Sequence, residues 1–396
     1  MNTMPLHSSA MYDIVELGLS PTRSLEDDIM NNQSKIIQEF YRDIDSEYNS
    51  AITSTSSSII NGEDDIMPPM HLILHRGNVF VEMIEAFKSI DKQKCSNLMV
   101  ELILPNGESE KGLDAGGVFR DTISEFWITM YETCTVGTNV KIPCIRHDFK
   151  EEEWKSMAKI LYVGWVNSKY LPIKLAMPII EQMLYGHVTS KLIPTFLLSL
   201  GESDNQILNS ALKDVDKDDL LEAFSTLECR IVPNEYNIVE LLEEISHKEL
   251  IQKPHFIIEQ FRKELKEVRM NTLISENDLL ALYKSMEPTA KNILNILSCH
   301  ETSNDEIKTF GFLKKFIKET TNEIRLKFLR FSTGADVITH NYIKVEFTNV
   351  VGLARAPVAH TCSGVLELPS KYEYFADFRK ELNSILASNI WVMDIL

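Results

Sequence analysis

The sequence lacks the paired ligands on which metal and redox proteins depend. Its six cysteines, Cys95, Cys134, Cys144, Cys229, Cys299 and Cys362, are scattered over the whole length, with no Cys-x-x-Cys pair. A structural zinc site needs four closely spaced thiolates or imidazoles, and a dithiol redox motif needs two neighbouring cysteines. Neither is here. Cys134, Cys144 and His147 come nearest to a ligand cluster, and their loose spacing reads as ordinary structural side chains, so no metal and no cofactor is expected. Sparse, unpaired thiols also fit a reducing compartment.

Positive charge is in short supply. There are 40 Lys and Arg against 58 Asp and Glu, a formal net charge of −18. A nucleic-acid partner would demand a basic stripe to neutralise phosphates, so that class is not expected. Long apolar runs are missing too. The most apolar stretches, such as residues 192–200, are too short and interrupted to cross a bilayer. Residues 1–10 hold no apolar core of signal-peptide length. No membrane partner is expected, and the reading is a soluble intracellular protein, cytoplasmic or nuclear. No period of 20–50 residues recurs, which excludes a solenoid.

What is present is a globular composition, 44% hydrophobic and 25% charged over 396 residues. At about 150 residues per domain that is two or three units. Residues 1–66 stand apart, with a Ser/Thr-rich tract at 49–58 and the acidic run Gly62-Glu63-Asp64-Asp65. So little apolar surface cannot offset chain entropy, and a flexible segment is expected there. Within it, Ile36, Ile37, Phe40, Tyr41 and Ile44 have the spacing of one short helix.

From about residue 70 the text is continuously patterned. Val79, Met83, Ile84 and Phe87 predict a helix over 71–90, and residues 97–104 predict a strand ended by Pro105-Asn106-Gly107. Helices follow over 118–131, 151–167, 175–185, 218–227, 238–249 and 255–267. The last hundred residues change character: a helix over 308–329, a strand and turn over 329–334, strands over 342–347 and 365–368, then a helix over 374–388. The fold class expected is α+β, with a mostly helical portion followed by a smaller mixed block holding its own core.

Two short runs carry chemistry. Gly112-Leu113-Asp114-Ala115-Gly116-Gly117 lies between a strand and a helix, but the phosphate-loop lysine and the GxGxxG spacing are missing. A turn with Asp114 capping the helix is the better reading. Cys362 sits in Pro357-Val358-Ala359-His360-Thr361-Cys362-Ser363-Gly364, a loop framed by small and polar residues. Three readings compete for it. A free cysteine is by default a buried, inert side chain. A cysteine hydrolase would need a histidine oriented beside the thiol, and His360 is only two residues away. A transfer enzyme would be acylated on the thiol and lose the acyl group to an amine, needing a thiolate fraction and access. In that case His360 would support the thiolate or simply hydrogen-bond, and Thr361 would orient the loop. The residues alone leave transferase and hydrolase open.

Three stretches together resemble the HECT family of ubiquitin-protein ligases. Ala356-Pro357-Val358-Ala359-His360-Thr361-Cys362, with Leu366-Glu367-Leu368-Pro369 and Tyr372, resembles that family's catalytic block. Gly112-x-Asp114-x-Gly116-Gly117-x-x-Arg120-Asp121 resembles its N-lobe signature, with aspartate where Arg-Glu is usual. Leu329-x-Phe331-x-Thr333-Gly334 resembles the strand and turn opening its C-lobe sheet. Lys248-Glu249-Leu250-Ile251-Gln252-Lys253-Pro254 and Trp391-Val392-Met393-Asp394 are similar to divergent members akin to the G2/M phase-specific ligase. The resemblance implies a bilobal HECT-like fold: residues 67–285 as N-lobe, 286–396 as C-lobe, and a hinge near 284–304. It implies a ubiquitin-conjugating enzyme, ubiquitin and a protein substrate as partners, with ubiquitin carried on Cys362 as a thioester. The region 200–255 is shorter here than the family's usual docking subdomain, and Met393 replaces its tail phenylalanine. A catalytically weak HECT-like module that binds ubiquitin or protein is the alternative.

Overall fold

The computed structural model describes residues 70–90, 98–109, 116–212, 218–350, 352 and 355–388, which fall in one unit of the chain, Asp65–Leu396. The expectations at Asp114, at Cys95, over residues 34–48 and at Trp391, Met393 and Asp394 lie outside the described residues. Helices and strands mix in the proportions of an α+β fold.

The described residues begin with a strand where a helix was expected over 71–90. β1 is Met70–His75, and only then does α1 run, Val79–Ser89. The alternation explains the correction. Leu72 and Leu74 point inward while Ile73 between them is 58% exposed, a period of two. Gly77, at φ 86°, ends the strand in a conformation that favours glycine. β1 pairs in parallel with β2, Leu98–Ile103.

Helices then dominate: α2 (Gly117–Thr133), α3 (Glu151–Ser168), α4 (Met177–Leu184), α5 (Leu192–Ser199), α6 (Glu202–Ala211), α7 (Asp218–Thr226) and α8 (Ile238–His247). They continue with α9 (His255–Glu267), α10 (Met270–Leu273) and α11 (Glu276–Met286). A two-residue ladder, β3 (Thr135–Val136) with β4 (Ile142–Pro143), lies between α2 and α3. One hydrophobic core serves all of them, with Phe126, Trp127, Trp154 and Phe261 fully buried in it.

A second core begins with α12 (Ala290–Ile296). It covers one face of a four-stranded sheet ordered β5 (Leu297–Cys299), β6 (Ile343–Thr348), β8 (Val365–Pro369), β7 (Val358–His360). The first three strands are parallel and β7 runs antiparallel to β8. Helices α13 (Asn304–Glu319), α14 (Asn322–Thr333) and α15 (Phe375–Ser388) contribute Leu313, Phe328 and Leu382 to this core.

Two expectations are corrected in this second core. The single helix over 308–329 is broken at Thr320, and Thr321 starts a new one by accepting a hydrogen bond from the Ile324 amide. The strand expected over 329–334 is instead the last turn of α14. Apolar residues at every second position over so short a run fit helix and strand equally. Thr321 at one end and Gly334 at the other decide it. Gly334 takes a left-handed φ of 79° and returns its N–H to Arg330 O at 2.9 Å, a glycine C-terminal stop.

The segment after α14 stitches the two cores together. Ala335 and Val337 are buried in the first core, Ile338 in the second. The Ile338 amide donates to Met286 O at 3.0 Å. The segment where a hinge was expected is held as well. Asn292 Nδ2 donates to Lys284 O and Glu287 O at 2.7 and 2.9 Å, and Arg325 Nε to Pro288 O at 3.2 Å.

Candidate functional site

Helix α2 is the scaffold of the site. Gly116 precedes it at φ 97°, a left-handed entry. Its first turns bury four polar residues, Arg120, Asp121, Thr122 and Ser124, and a buried polar group must find a partner. Thr122 returns its hydroxyl to Val118 O at 2.8 Å. The other three reach across to residues more than 200 positions later in the chain.

Asp121 is 1% exposed and lies between two guanidinium groups. Arg330 Nε donates to its Oδ1 at 2.6 Å, and Arg76 Nη1 donates to Oδ2. Glu125 joins them, 2.9 Å from Arg76 and 3.7 Å from Arg330. Burial pushes the Asp121 carboxyl up, but Arg330 and Arg76 outweigh it and hold it below the usual carboxylate range. Ser124 Oγ lies 3.1 Å from Gly334 O and accepts from the Asp336 amide at 3.2 Å. Asp336 is itself buried, accepts from Tyr170 Oη at 2.7 Å, and is pushed above the usual carboxylate range by its burial. Arg120 donates from Nε to Thr333 O at 2.8 Å and from Nη2 to Thr361 O.

That last bond leads to Cys362. β7 and β8 form a hairpin whose turn is Thr361-Cys362-Ser363-Gly364. Ser363 N–H closes it on His360 O at 3.2 Å, and Lys344 N–H fixes Gly364 O at 2.8 Å from the neighbouring strand. Cys362 is the exposed thiol among the described residues; Cys134 is buried, and Cys144, Cys229 and Cys299 are half-buried. Burial pushes the Cys134 and Cys299 thiols up, the latter to about 11. The turn lies directly on the first residue of α2. A Cβ added to Gly117 would overlap Thr361 Oγ1 and stand 2.9 Å from Cys362 Sγ. Gly334 is equally close on the other side, where a Cβ would stand 2.7 Å from Gly117 O. Three separated sequence runs therefore meet within van der Waals contact.

His360 ends β7 and is 8% exposed. Its Nε2 lies 3.2 Å from Glu367 Oε1, a diagonal cross-strand neighbour on β8. Thr361 is buried against Gly117. Cys134 and Cys144 face each other across the end of the β3–β4 ladder, where Cys144 N–H donates to Cys134 O at 2.9 Å. Arg146 lies 3.8 Å from Cys134 Sγ and pairs with Asp148. No group of three or more His, Cys, Asp or Glu among the described residues could hold a metal ion.

Comparison with known families bears on this geometry. The family model of the HECT-domain (ubiquitin-transferase) matches residues 129–389. The span is well over half of the 396 residues and contains both the Cys362 turn and the end of α14. The chain belongs to the HECT family. No curated protein matched it. HECT domains are ubiquitin transferases that work with ubiquitin and conjugating enzymes. The matched span begins inside α2, so Gly116, Gly117, Arg120 and Asp121 fall before it. It is packing that ties them to the HECT segment.

Gly117, Arg120, Asp121, Thr361 and Cys362 lie in the sequence motifs. Arg76, Glu125, Tyr170, Arg330 and Asp336 went unseen. Each sits in an unremarkable helix, strand end or loop. Only an acidic residue on an otherwise buried helix hinted that cations must come from elsewhere.

Proposed function

We propose that this chain is a ubiquitin-protein transferase that accepts ubiquitin as a thioester on Cys362. The observation carrying this reading is an exposed thiol on a hairpin turn, seated on Gly117, the first residue of α2. In the first step the Cys362 thiolate attacks the carbonyl carbon joining ubiquitin's C-terminus to the conjugating enzyme's cysteine. The tetrahedral adduct collapses, the new C–S bond remains, and the conjugating enzyme's thiolate leaves. In the second step a substrate lysine amine attacks the same carbonyl, Cys362 thiolate departs, and the amine's proton passes to solvent. One thioester is exchanged for another of similar energy, so the first step requires placement above all.

Within this reading Thr361 orients the turn, its side chain being clamped on Gly117. His360 packs beside Glu367 at the end of the hairpin, 3.2 Å away, which supports a structural role over direct support of the thiolate. Residues 67–285 form an N-lobe that receives the conjugating enzyme and 286–396 a C-lobe carrying the thiol. The short helices α6 to α8 stand where the family's larger docking subdomain is expected, and the likeness to divergent G2/M-type members rests on two sequence runs, Lys248–Pro254 and Trp391–Asp394. Cytoplasm or nucleus is the compartment this chemistry implies.

The reading is tested by incubating the chain with activating enzyme, a panel of conjugating enzymes and ubiquitin, then separating the products without reductant. A thiol-sensitive adduct that is lost in Cys362→Ala is expected. A chain that binds ubiquitin or charged conjugating enzyme but forms no adduct across the panel is a binding module instead. Cleavage of ubiquitin esters without transfer would mark a hydrolase.

A further inference from the structure

We propose that Arg120 is a positioning residue for Cys362, fixing the thiol's turn against helix α2. The inference rests on Cys362 being the reacting thiol and goes beyond it by naming the side chain that sets where that thiol stands. Arg120 is buried, and its guanidinium forks between two carbonyls from distant parts of the chain. One is Thr333 O, 2.8 Å from Nε, in the last turn of α14, where helix carbonyls have no intrahelical donor. The other is Thr361 O, bonded to Nη2.

The second bond is the informative one. Thr361 C=O and the Cys362 N–H belong to one planar peptide unit. Pinning that oxygen therefore fixes the plane of the Cys362 amide; the turn bond from Ser363 N–H to His360 O limits the Cys362 backbone beyond it, and the side-chain torsion then places Sγ. Gly117 leaves the room that the sulfur occupies, because a Cβ there would stand 2.9 Å from Sγ. Arg120 and Gly117 lie within one turn of the same helix, so α2 sets both the backbone and the free space of the thiol. A lysine cannot substitute. Its ammonium is a single point donor on a flexible stem, without the rigid fork that spans two acceptors.

Cys362 is already exposed, so the bond to Thr361 O contributes orientation rather than access. Releasing the turn then has opposite effects on two reactions. A small alkylating reagent approaches from any direction and gains from a freer sulfur. Transfer from a large, docked donor depends on alignment, and misplacement by about 1 Å costs up to about 100-fold.

The experiment uses the full chain with Arg120→Lys and Arg120→Ala, each checked for folding by circular dichroism and thermal melting. Single-turnover transfer from a ubiquitin-charged conjugating enzyme is measured, alongside the rate of Cys362 alkylation by iodoacetamide, read by peptide mass mapping. Both variants are expected to transfer roughly 10- to 100-fold more slowly while Cys362 alkylates about twofold or more faster. Millimolar guanidinium is expected to restore part of the transfer in Arg120→Ala and none in Arg120→Lys. Wild-type transfer in both folded variants overturns the proposal. So does slow transfer with unchanged alkylation, which would locate the effect away from the thiol's turn. Should the unmodified chain form no adduct with any donor, the transferase reading fails, and alkylation alone decides the tether: faster upholds it, unchanged overturns it.

Discussion

Asp121→Asn isolates the charge at the centre of the α2 network while preserving shape. The wild-type carboxylate is 1% exposed and neutralises Arg330 and Arg76 together. Removing one partner of a buried ion pair costs ~3–5 kcal/mol, because the surviving charge stays buried and uncompensated. Glu125 remains 2.9 Å from Arg76 and 3.7 Å from Arg330. It offsets part of the loss, so ~2–3 kcal/mol is the expected destabilisation. A urea slope of about 3 kcal/mol/M, the upper end for small proteins, is a lower bound for a larger chain, so the midpoint should fall by at most ~1 M at pH 7. The pH dependence has a definite sign. The folded Asp121 pKa lies below its unfolded value, so its contribution is complete above the unfolded pKa and is lost as pH falls through the folded one. The gap between wild type and variant should hold down to about pH 5 and close only below about pH 4. Urea titrations followed by tryptophan fluorescence at pH 7, 5 and 3.5 decide it. Equal midpoints at pH 7, or a gap that widens on acidification, would refute the reasoning.

Two further substitutions test the surrounding frame. Gly334→Ala meets both a left-handed φ of 79° and Gly117 O at 2.7 Å, so a loss of ~2–4 kcal/mol is expected. Gly311→Ala, in α13 with nothing within 4 Å of the new Cβ, should instead stabilise by ~0.5–1 kcal/mol; thermal melts giving the two the same sign would contradict the account. Asp336→Asn keeps an acceptor for Tyr170 but removes a buried charge. The Asp336 pKa is raised in the folded state by burial, so its ionised form weakens the fold at neutral pH and the penalty fades as pH falls towards about 4. The variant should melt higher than wild type at pH 7, with the advantage shrinking as pH falls towards about 4; a lower melting point at pH 7 would show that its charge is needed.

The helices of the first core were legible because their periodicity is strong: Val118 to Tyr131, Glu151 to Asn167 and His255 to Glu267 predict α2, α3 and α9 almost residue for residue. Short elements were not. β1 was absorbed into α1 because Leu72-Ile73-Leu74 reads as the start of an apolar helix face until its parallel partner is seen. β5 and β7, three residues each, carry too few side chains to show any period. The end of α14 was misread for the opposite reason, an apolar alternation overridden by its cap residues. At the site, the placement of Cys362 in a turn before a strand followed from Gly364 and Pro369. Its neighbours could not follow, because contacts such as Arg120 to Thr361 join positions 241 apart, and one sequence holds no record of which distant residues meet.

The central claim is that Cys362 carries the acyl group, and replacing its sulfur by oxygen tests it most directly. In a single-turnover reaction with a ubiquitin-charged conjugating enzyme, the wild-type adduct should vanish on treatment with thiol. Cys362→Ser should give an adduct that resists thiol and yields to hydroxide, mapped by mass spectrometry to residue 362. The mechanism predicts that switch from thioester to oxyester. A thiol-labile adduct persisting in Cys362→Ser, or one mapping to Cys144, Cys229 or Cys299, would contradict it.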